Sequence, residues 1–305
     1  MKIFILFCSF FISAFASPIG GFQGSFTNIV SDAKSVGIGG IGIVDNQNPF
    51  GTYYNPALIN SKKYLIGISY NHLSLDRYNH SLIVGFKIPP KAKASIGYVG
   101  SGVKNINGRS TIGKITDSYK WSNHHLFFTF GISPFNKLKF GGKLNIYFQN
   151  LIDEVNASGL GLDVGVFSNP LDNLKFAFTV KNIMAKSNWK IDMSDGTMRD
   201  YNEYFPLIFS FGGLYNFNKN LKIISELNFY NDIDFGYIGN ENKYGLEYRI
   251  HKFENPIILG CGYNSKEVSL GFSLPFNDLY KMNYAISLSR FNAGNNHIFT
   301  WDIQL

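Results

Sequence analysis

Three glycines near the amino terminus have a spacing that could support chemistry. In "SVGIGGIGIVDNQNPFGTYYNPALI", residues 35–59, Gly37, Gly39 and Gly42 form the G-x-G-x-x-G pattern that can hold a dinucleotide pyrophosphate. A dinucleotide-binding fold needs a helix directly after these glycines and an acidic residue about 20 positions further on. Turn-forming residues follow instead, and the counterpart position falls near Lys62. We therefore do not predict a nucleotide site.

The other residue types that support catalysis or metal binding lack a recognisable arrangement. The six histidines form no H-E-x-x-H motif: His72, His80, His124, His125, His251 and His297. The adjacent His124 and His125 must point to opposite faces of a strand. Ser, His and Asp all occur, but no local pattern distinguishes a nucleophile. The sequence predicts no enzyme activity, no metal site and no cofactor.

The first residues indicate export. An apolar run at 3–12 follows Lys2, and "AFA" at 14–16 is a small-x-small cleavage site. Residues 1–16 are therefore predicted to be a signal peptide. The apolar run is shorter than the about 20 residues that a membrane-spanning helix needs, and no later apolar stretch approaches that length. The exported chain is expected in the periplasm, outside the cell or in the outer membrane.

The composition narrows this choice. The chain has 29 Phe, 18 Tyr and 31 Gly, and only 16% of its residues are charged, against about 25% in an average soluble domain. The formal net charge of +7 could indicate nucleic acid, but export favours solvated loop lysines. We predict no nucleic-acid partner and favour an outer-membrane protein, with outer-membrane lipid as its surroundings.

After residue 62 the chain alternates with the period of two that is typical of β-strands. The clearest case is 138–149, where apolar and polar residues alternate over the whole segment. Similar runs are placed near 64–74, 80–88, 93–104, 122–132, 137–149, 158–168, 173–184, 206–217, 220–230, 243–250, 255–264, 267–274, 281–291 and 295–305. Strands of about 9 to 12 residues cross a bilayer when tilted. We predict an all-β fold, a transmembrane antiparallel β-barrel of about 14 strands over residues 63–305. A soluble β-sandwich is the alternative.

The connections and the charges fit a barrel in the outer membrane of a Gram-negative cell. Short connections at 89–92, 133–136, 169–172, 218–219 and 251–254 alternate with longer ones at 105–121, 150–157, 185–205 and 231–242, as in barrels with short periplasmic turns and long outer loops. A Lys or Arg facing mid-bilayer lipid costs roughly 2 to 4 kcal/mol. Strand parity places the following side chains on the lumen side instead: Lys139, Lys143, Asp163, Lys175, Lys181, Glu226, Glu247, Arg249 and Asp302.

The segment before the first strand carries a family resemblance. "TNIVSDAKSVGIGGIGIVDNQNPFGTYYNPALI" resembles the amino-terminal signature of the PorV/PorQ family, relatives of the FadL long-chain fatty acid channels. The matching positions are Ala33, Lys34, Gly37, Gly39, Gly40, Tyr54, Asn55, Pro56 and Ala57. Lys34 replaces the usual Arg, and Ile38 replaces a common Met. Further matching positions are Lys143, Gly159, Leu162, Asp163, Gly165 and Asn182. The resemblance covers nearly the whole mature chain.

The resemblance implies that residues 17–62 fold into the barrel as a plug. Its plug or gate residues would then be Gly37, Gly39, Gly40, Gly42, Asn55, Pro56 and Ala57. The glycines fit this interpretation, because a backbone packed in a narrow lumen needs close approach and positive φ. A static plug and a moving gate are both compatible with the sequence.

The resemblance implies two alternative functions. The FadL side implies transport of hydrophobic small molecules across the outer membrane. PorV implies a type IX-like secretion component that binds the carboxy-terminal domains of secreted cargo proteins and passes them to the cell surface.

Overall fold

The computed structural model describes residues 21–59, 64–90, 92–152, 155–192, 197–252, 255–265, 267–289 and 294–305. The predicted signal peptide, residues 1–16, and the ends of the predicted plug, 17–20 and 60–62, lie outside these ranges. Fifteen strands follow the amino-terminal segment: β1 Tyr64–His72, β2 Arg77–Ile88, β3 Ala92–Arg109, β4 Ile115–Phe135, β5 Leu138–Ile152, β6 Val155–Leu171, β7 Leu174–Asp192, β8 Met198–Tyr204, β9 Leu207–Asn216, β10 Leu221–Asp232, β11 Gly236–Ile250, β12 Ile257–Asn264, β13 Glu267–Pro275, β14 Tyr280–Ser289 and β15 Asn295–Gln304.

Fourteen of these strands form a closed antiparallel ring. Each pairs with its neighbours in sequence, β1 pairs with β15, and β7 passes over β8 to pair with β9. None of the fourteen therefore has a free edge, and their backbone hydrogen bonds are satisfied within the ring. The predicted all-β antiparallel barrel of about 14 strands is confirmed, and the alternative of a two-sheet sandwich is wrong.

The two faces of the wall differ as the alternation predicts. On β5, Lys143, Asn145 and Tyr147 are at most 4% exposed, whereas Leu144 and Phe148 are 43% and 44% exposed. The apolar side chains therefore form the outer surface and the polar ones face inward. An apolar outer belt around closed hydrogen bonding is the arrangement of a barrel that spans a membrane.

The two ends of the barrel differ in shape. Tyr64 and Leu305 exchange backbone hydrogen bonds of 3.0 and 2.9 Å at one end, which we call the terminal end. The turns at 89–90, 136–137 and 172–173 lie at that same end. At the opposite end, the hairpin end, β3–β4 and β7–β8 continue as exposed hairpins.

The prediction of long loops at the hairpin end is wrong. Where the structure describes them, residues 105–121, 150–157, 185–205 and 231–242 are mostly strand, and the hairpin of β7 with β8 was not predicted at all. In the extension of β4 both faces meet solvent, as the run of exposed residues at 115–120 shows. Without a buried or lipid-facing side such an extension lacks the period-two hydrophobic pattern by which strands are recognised.

The amino-terminal segment, described here over residues 21–59, lies inside the ring. It contains two short helices, α1 (Ala33–Gly37) and α2 (Gly51–Tyr54), and two 3₁₀ turns at Ser25–Asn28 and Pro56–Leu58. Within the described part of the chain, no helix is long and apolar enough to cross a membrane. The segment packs against glycines on strands all around the ring: Gly67, Gly141, Gly165, Gly212, Gly245, Gly262 and Gly271. Contacts on every side place the segment in the barrel interior.

The pairing of β6 with β7 is irregular near the middle of β7. Leu160 pairs with Lys186 and Val164 pairs with Val180, so β7 carries two extra residues there relative to β6. Pairing of β7 with β9 stops at Lys181, and pairing with β8 begins at Lys186. Between these points Asn182 and Met184 adopt positive φ angles of 62° and 53°, so the ladder from β7 to β9 ends below the hairpin end.

Candidate functional site

The glycines of the G-x-G-x-x-G pattern pack against the wall of the barrel. Gly39 and Gly40 have φ angles of 83° and 80°, which an L side chain rarely adopts. A Cβ at Gly39 would lie 2.8 Å from the carbonyl oxygen of Tyr244 and 2.9 Å from the amide nitrogen of Tyr263. A Cβ at Gly37 would lie 3.0 Å from the Cα of Gly271. The space that a phosphate would need is filled by protein.

Sequence reasoning did not identify the glycines of the wall that contact these glycines of the segment. Gly245, Gly260, Gly262 and Gly271 lie on β11, β12 and β13, directly under the turn from Gly37 to Gly39. Their sequence signal is glycine at alternate positions of predicted strands, since a strand glycine often marks a close backbone approach. The segment and the wall therefore meet through glycine on both sides.

Asn55 fixes the second part of the segment. Its Oδ1 accepts a 2.9 Å hydrogen bond from the amide of Ala57, and its Nδ2 donates to the carbonyl oxygens of Ile43 and Val166 at 2.9 and 3.2 Å. Asn55 lies against Gly165, and the adjacent Pro56 lies against Gly141 of β5. The N-P-A stretch thus joins the segment to itself and to β6.

A buried hydrogen-bond cluster organises α1, and sequence reasoning missed its centre. Asp32 accepts hydrogen bonds from the amide of Ser35 at 2.9 Å, the side-chain amide of Asn48 at 2.9 Å and the hydroxyl of Tyr54 at 2.7 Å. Burial raises the pKa of Asp32, and these three donors oppose the shift. The signal in the sequence was an Asp directly before a short helix, which is a typical N-cap.

Lys34 and Asp45 form an ion pair within the segment. Nζ of Lys34 lies 2.5 Å from Oδ2 of Asp45, and both side chains are at most 5% exposed. Burial alone would raise the pKa of Asp45, but the charge of Lys34, with that of Lys222 beyond it, holds the pKa well below its usual value. The pKa of Lys34 is raised in turn by Asp45, against the opposing effect of burial. Lys34, which stands where the PorV/PorQ signature usually has an arginine, thus pairs with a single carboxylate.

Several of the predicted lumen-facing residues come together as ion pairs that also hold the segment. Lys143 lies 2.8 Å from Asp163 and donates a 2.7 Å hydrogen bond to the carbonyl of Tyr53. Glu226, 3.0 Å from Lys243, accepts a hydrogen bond from the amide of Gly42 at 3.1 Å. Each pair therefore joins two strands of the wall and grips the backbone of the segment at the same time.

The remaining predicted lumen-facing residues either lie nearer the terminal end of the barrel or lie apart from the ion pairs. Glu247 pairs with Lys222 at 2.5 Å and with Arg249 at 3.4 Å, and Arg249 donates to Gln47 at 2.8 Å. Lys139 lies 5.3 Å from the ring centre of Phe167. Within the described ranges neither Lys139 nor Lys181 has a carboxylate within 4 Å. The structure thus gathers Lys143, Asp163, Glu226, Glu247 and Arg249 around the segment and leaves these two lysines apart from the ion pairs.

A cavity of about 260 Å³ lies above the segment at the hairpin end. Its floor comes from the segment, and its walls come from the ends of β1, β2, β11, β12, β13, β14 and β15. The lining residues are Ser25, Asn28, Ile29, Val30, Val36, Gly40, Leu73, Arg77, Glu241, Lys243, Asn264, Glu267, Ser269, Ser287, Asn296 and Ile298. A second cavity of about 10 Å³, room for about one water, lies beside the irregular part of β7 and shares Ser25 and Asn28 with the first. In the described ranges, no cluster of three or more His, Cys, Asp or Glu could hold a metal ion.

Comparison with known proteins finds likeness in structure only. No protein-family model and no curated protein matches the chain. Among solved structures, the CymD monoaromatic hydrocarbon channel aligns with a TM-score of 0.68 at 11% identity, over 93% of this chain and 99% of that one. The toluene transporter TodX of Pseudomonas putida gives 0.66 at 13%, over 90% and 100%. A FadL homologue of Pseudomonas aeruginosa gives 0.63 at 10%, over 89% and 97%. At these identities the likeness establishes a shared barrel fold.

Proposed function

We propose that the protein is a FadL-like channel in the outer membrane that carries hydrophobic small molecules. The observation that carries the proposal is a closed barrel whose interior is filled by its own amino-terminal segment, in the fold shared with the toluene transporter TodX and the CymD channel. A lumen filled in this way suits a selective channel rather than an open aqueous pore.

A route for the solute follows from the two cavities. The Ser25–Asn28 turn separates the large cavity from the small one beside β7. Phe26 of that turn packs edge-on against Tyr147 and Phe205, with ring centres 5.9 and 6.3 Å apart. Movement of this turn would join the cavities along an aromatic surface that tolerates apolar solutes. The solute would then reach the place where the pairing of β7 with β9 stops.

The proposal is tested by uptake of a labelled aromatic hydrocarbon. A strain that lacks the protein should take up labelled toluene more slowly, and expression of the protein should restore the rate. A variant that ties the Ser25–Asn28 turn to the wall by a disulfide between cysteines at Phe26 and Phe205 should restore uptake only after reduction. Equal uptake with and without the protein contradicts the proposal.

The secretion alternative rests on the sequence resemblance alone. The solved structures named above are a hydrocarbon channel, a toluene transporter and a FadL homologue, so the PorV/PorQ assignment and the cargo role stay predictions. A comparison of the secreted proteome between the deletion strain and its parent separates them from transport. Loss of surface proteins with normal hydrocarbon uptake would favour secretion.

A further inference from the structure

The large cavity at the hairpin end is more polar than a route for hydrocarbons requires. Its apolar part is compact: Val30, Val36 and Ile298 belong to one packed cluster, and Leu73 lines the cavity nearby. Four charged side chains and three asparagine amides line much of the rest: Arg77, Glu241, Lys243, Glu267, Asn28, Asn264 and Asn296. A purely apolar solute would displace water from these groups without replacing its hydrogen bonds, which is costly.

Two of the four charges, Lys243 and Glu241, are already paired within the protein. Lys243 lies 3.0 Å from Glu226 and 3.6 Å from Glu241, and its Nζ also donates a 3.1 Å hydrogen bond to the carbonyl oxygen of Gly40. Glu241 additionally accepts a hydrogen bond from Tyr230 at 3.3 Å. These groups hold the wall and the segment together, and a ligand would gain little from them.

The other two charges, Arg77 and Glu267, face the cavity without a partner of opposite charge. The guanidinium of Arg77 donates only to Ser74, from Nε to the carbonyl at 2.9 Å and from Nη2 to Oγ at 3.1 Å, and no described carboxylate lies within 4 Å. The carboxylate of Glu267 accepts from the hydroxyl of Ser287 and, at 3.5 Å, from the amide of Asn296. No described cation lies within 4 Å of it.

Asn296 connects the surroundings of the two charges. Its Oδ1 accepts a 3.0 Å hydrogen bond from the amide of Ser74, the residue that holds Arg77, and its Nδ2 donates to Glu267. Both charges therefore line the same cavity, where the amide of Asn296 contacts Glu267 and the residue that holds Arg77, beside the apolar patch of Val30, Val36 and Ile298.

We propose that this cavity binds a small zwitterion with an apolar body, a molecule of the apolar amino-acid type. Its carboxylate would lie against the guanidinium of Arg77, whose planar fork suits a carboxylate. Its ammonium group would lie against the carboxylate of Glu267, and its apolar body would cover Val30, Val36 and Ile298. A volume of about 260 Å³ lies just below the usual range of sites for drug-sized ligands, in keeping with a molecule of this size. The inference adds a zwitterionic class of solute to the hydrophobic class of the proposed function and rests on that function for its role in transport.

Four probes that share a phenyl group separate the contributions of the two charges. We would measure the binding of L-phenylalanine, phenethylamine, 3-phenylpropionate and ethylbenzene to the detergent-solubilised full-length protein by calorimetry. L-Phenylalanine should bind tightest, and each single-charge analogue about tenfold or more weaker, because each lacks one charge-assisted contact. Glu267→Gln should weaken the binding of phenylalanine and phenethylamine but not that of phenylpropionate. Arg77→Gln should weaken the binding of phenylalanine and phenylpropionate but not that of phenethylamine.

The controls are equivalent charge changes away from the cavity. Arg109→Gln at the end of β3 and Glu203→Gln on β8 should leave all four affinities unchanged, and unaltered heat-modifiable gel migration would show that each variant is folded. Tightest binding of ethylbenzene, no binding of any probe, or equal affinities in Glu267→Gln and wild type would overturn the inference. Toluene uptake that does not depend on the protein, together with specific phenylalanine binding, would instead overturn the proposed function alone.

Discussion

At the residue scale, Gly39 shows how little room the interior leaves. Its φ of 83° and the 2.8 Å that would separate a Cβ from the carbonyl oxygen of Tyr244 are two independent reasons for glycine. Gly113, in the turn between β3 and β4, has nearly the same φ of 80° but no heavy atom within 4 Å of a Cβ. Comparing substitutions at the two positions therefore separates the effect of backbone strain from the effect of packing.

Gly39→Val should disturb the segment without unfolding the barrel. The left-handed backbone costs an L side chain roughly 1–2 kcal/mol, and overpacking adds roughly 1–3 kcal/mol. In planar bilayers the wild type should be nearly closed and Gly39→Val leaky or noisy. Gly113→Val, which has only the first cost, should conduct like the wild type. Equal conductance of both variants would contradict a role for Gly39 in closing the lumen.

Lys34→Met should loosen the segment more strongly. It leaves the buried carboxylate of Asp45 without its 2.5 Å partner, and breaking a buried pair costs roughly 3–5 kcal/mol. Conductance should rise at neutral pH, while Lys219→Met, in the exposed turn between β9 and β10, should have no effect. A double variant, Lys34→Met with Asp45→Leu, should restore most of the closure because no unpaired charge remains. A closed Lys34→Met channel would contradict this account.

The same pair gives the segment a defined response to acid. The pKa of Asp45 in the folded protein lies below that of an unfolded aspartate, about 3.9, because Lys34 stabilises the charged form against the effect of burial. The pair's contribution is therefore fully present above about pH 4 and is lost as the pH falls from there toward the folded pKa. Wild-type conductance should be constant between about pH 7 and pH 5 and rise only below about pH 4. In the double variant this rise should be reduced, and a rise near neutral pH would point to another group.

At the element scale, β8 differs from every other strand. It pairs only with the part of β7 beyond Lys186, whereas the ring closes through the pairing of β7 with β9 at Leu174–Lys181. The hairpin of β7 with β8 is thus an addition to the barrel rather than part of its wall.

Shortening this hairpin should leave the barrel intact. Ser187 and Glu203 are paired across it, so residues 188–202 can be replaced by a two-residue Asn-Gly turn, which suits antiparallel strands. The variant should keep wild-type migration before boiling and the same shift after boiling. Deletion of the twelve residues of β10, which pairs on both sides within the ring, should abolish the compact form. Loss of the compact form in the hairpin variant would show that β8 is needed for closure.

At the scale of the whole molecule, three ion pairs of the wall are complete without the segment. Lys143 with Asp163, Lys222 with Glu247 and Lys243 with Glu226 each join neighbouring strands. The pair of Lys34 with Asp45 lies wholly within the segment. Removing the segment therefore leaves the three ion pairs of the wall exposed to water in the lumen. It leaves no member of these four ion pairs without its partner.

Deletion of residues 21–59 should convert the closed barrel into an open pore. The wall keeps its hydrogen bonds and its ion pairs, so the variant should fractionate with the outer membrane and stay heat-modifiable. Its conductance should be large and steady, in contrast to the noisy currents expected for Gly39→Val. A variant that is degraded or remains in the periplasm would show that the barrel needs the segment to fold.

The sequence by itself determined the wall. The alternation at 138–149 assigns each side chain to the lipid or the lumen, since successive side chains point to opposite faces and a charge facing lipid is costly. For the same reason the sequence did not indicate the β7–β8 hairpin, where both faces meet solvent. The tertiary structure alone decided which inward charges become partners: Lys34 meets Asp45, Lys143 meets Asp163, and Arg77 and Glu267 face one cavity with no described group of opposite charge within 4 Å. Strand pairing and the path of the segment set those distances, and no periodicity in the sequence encodes them.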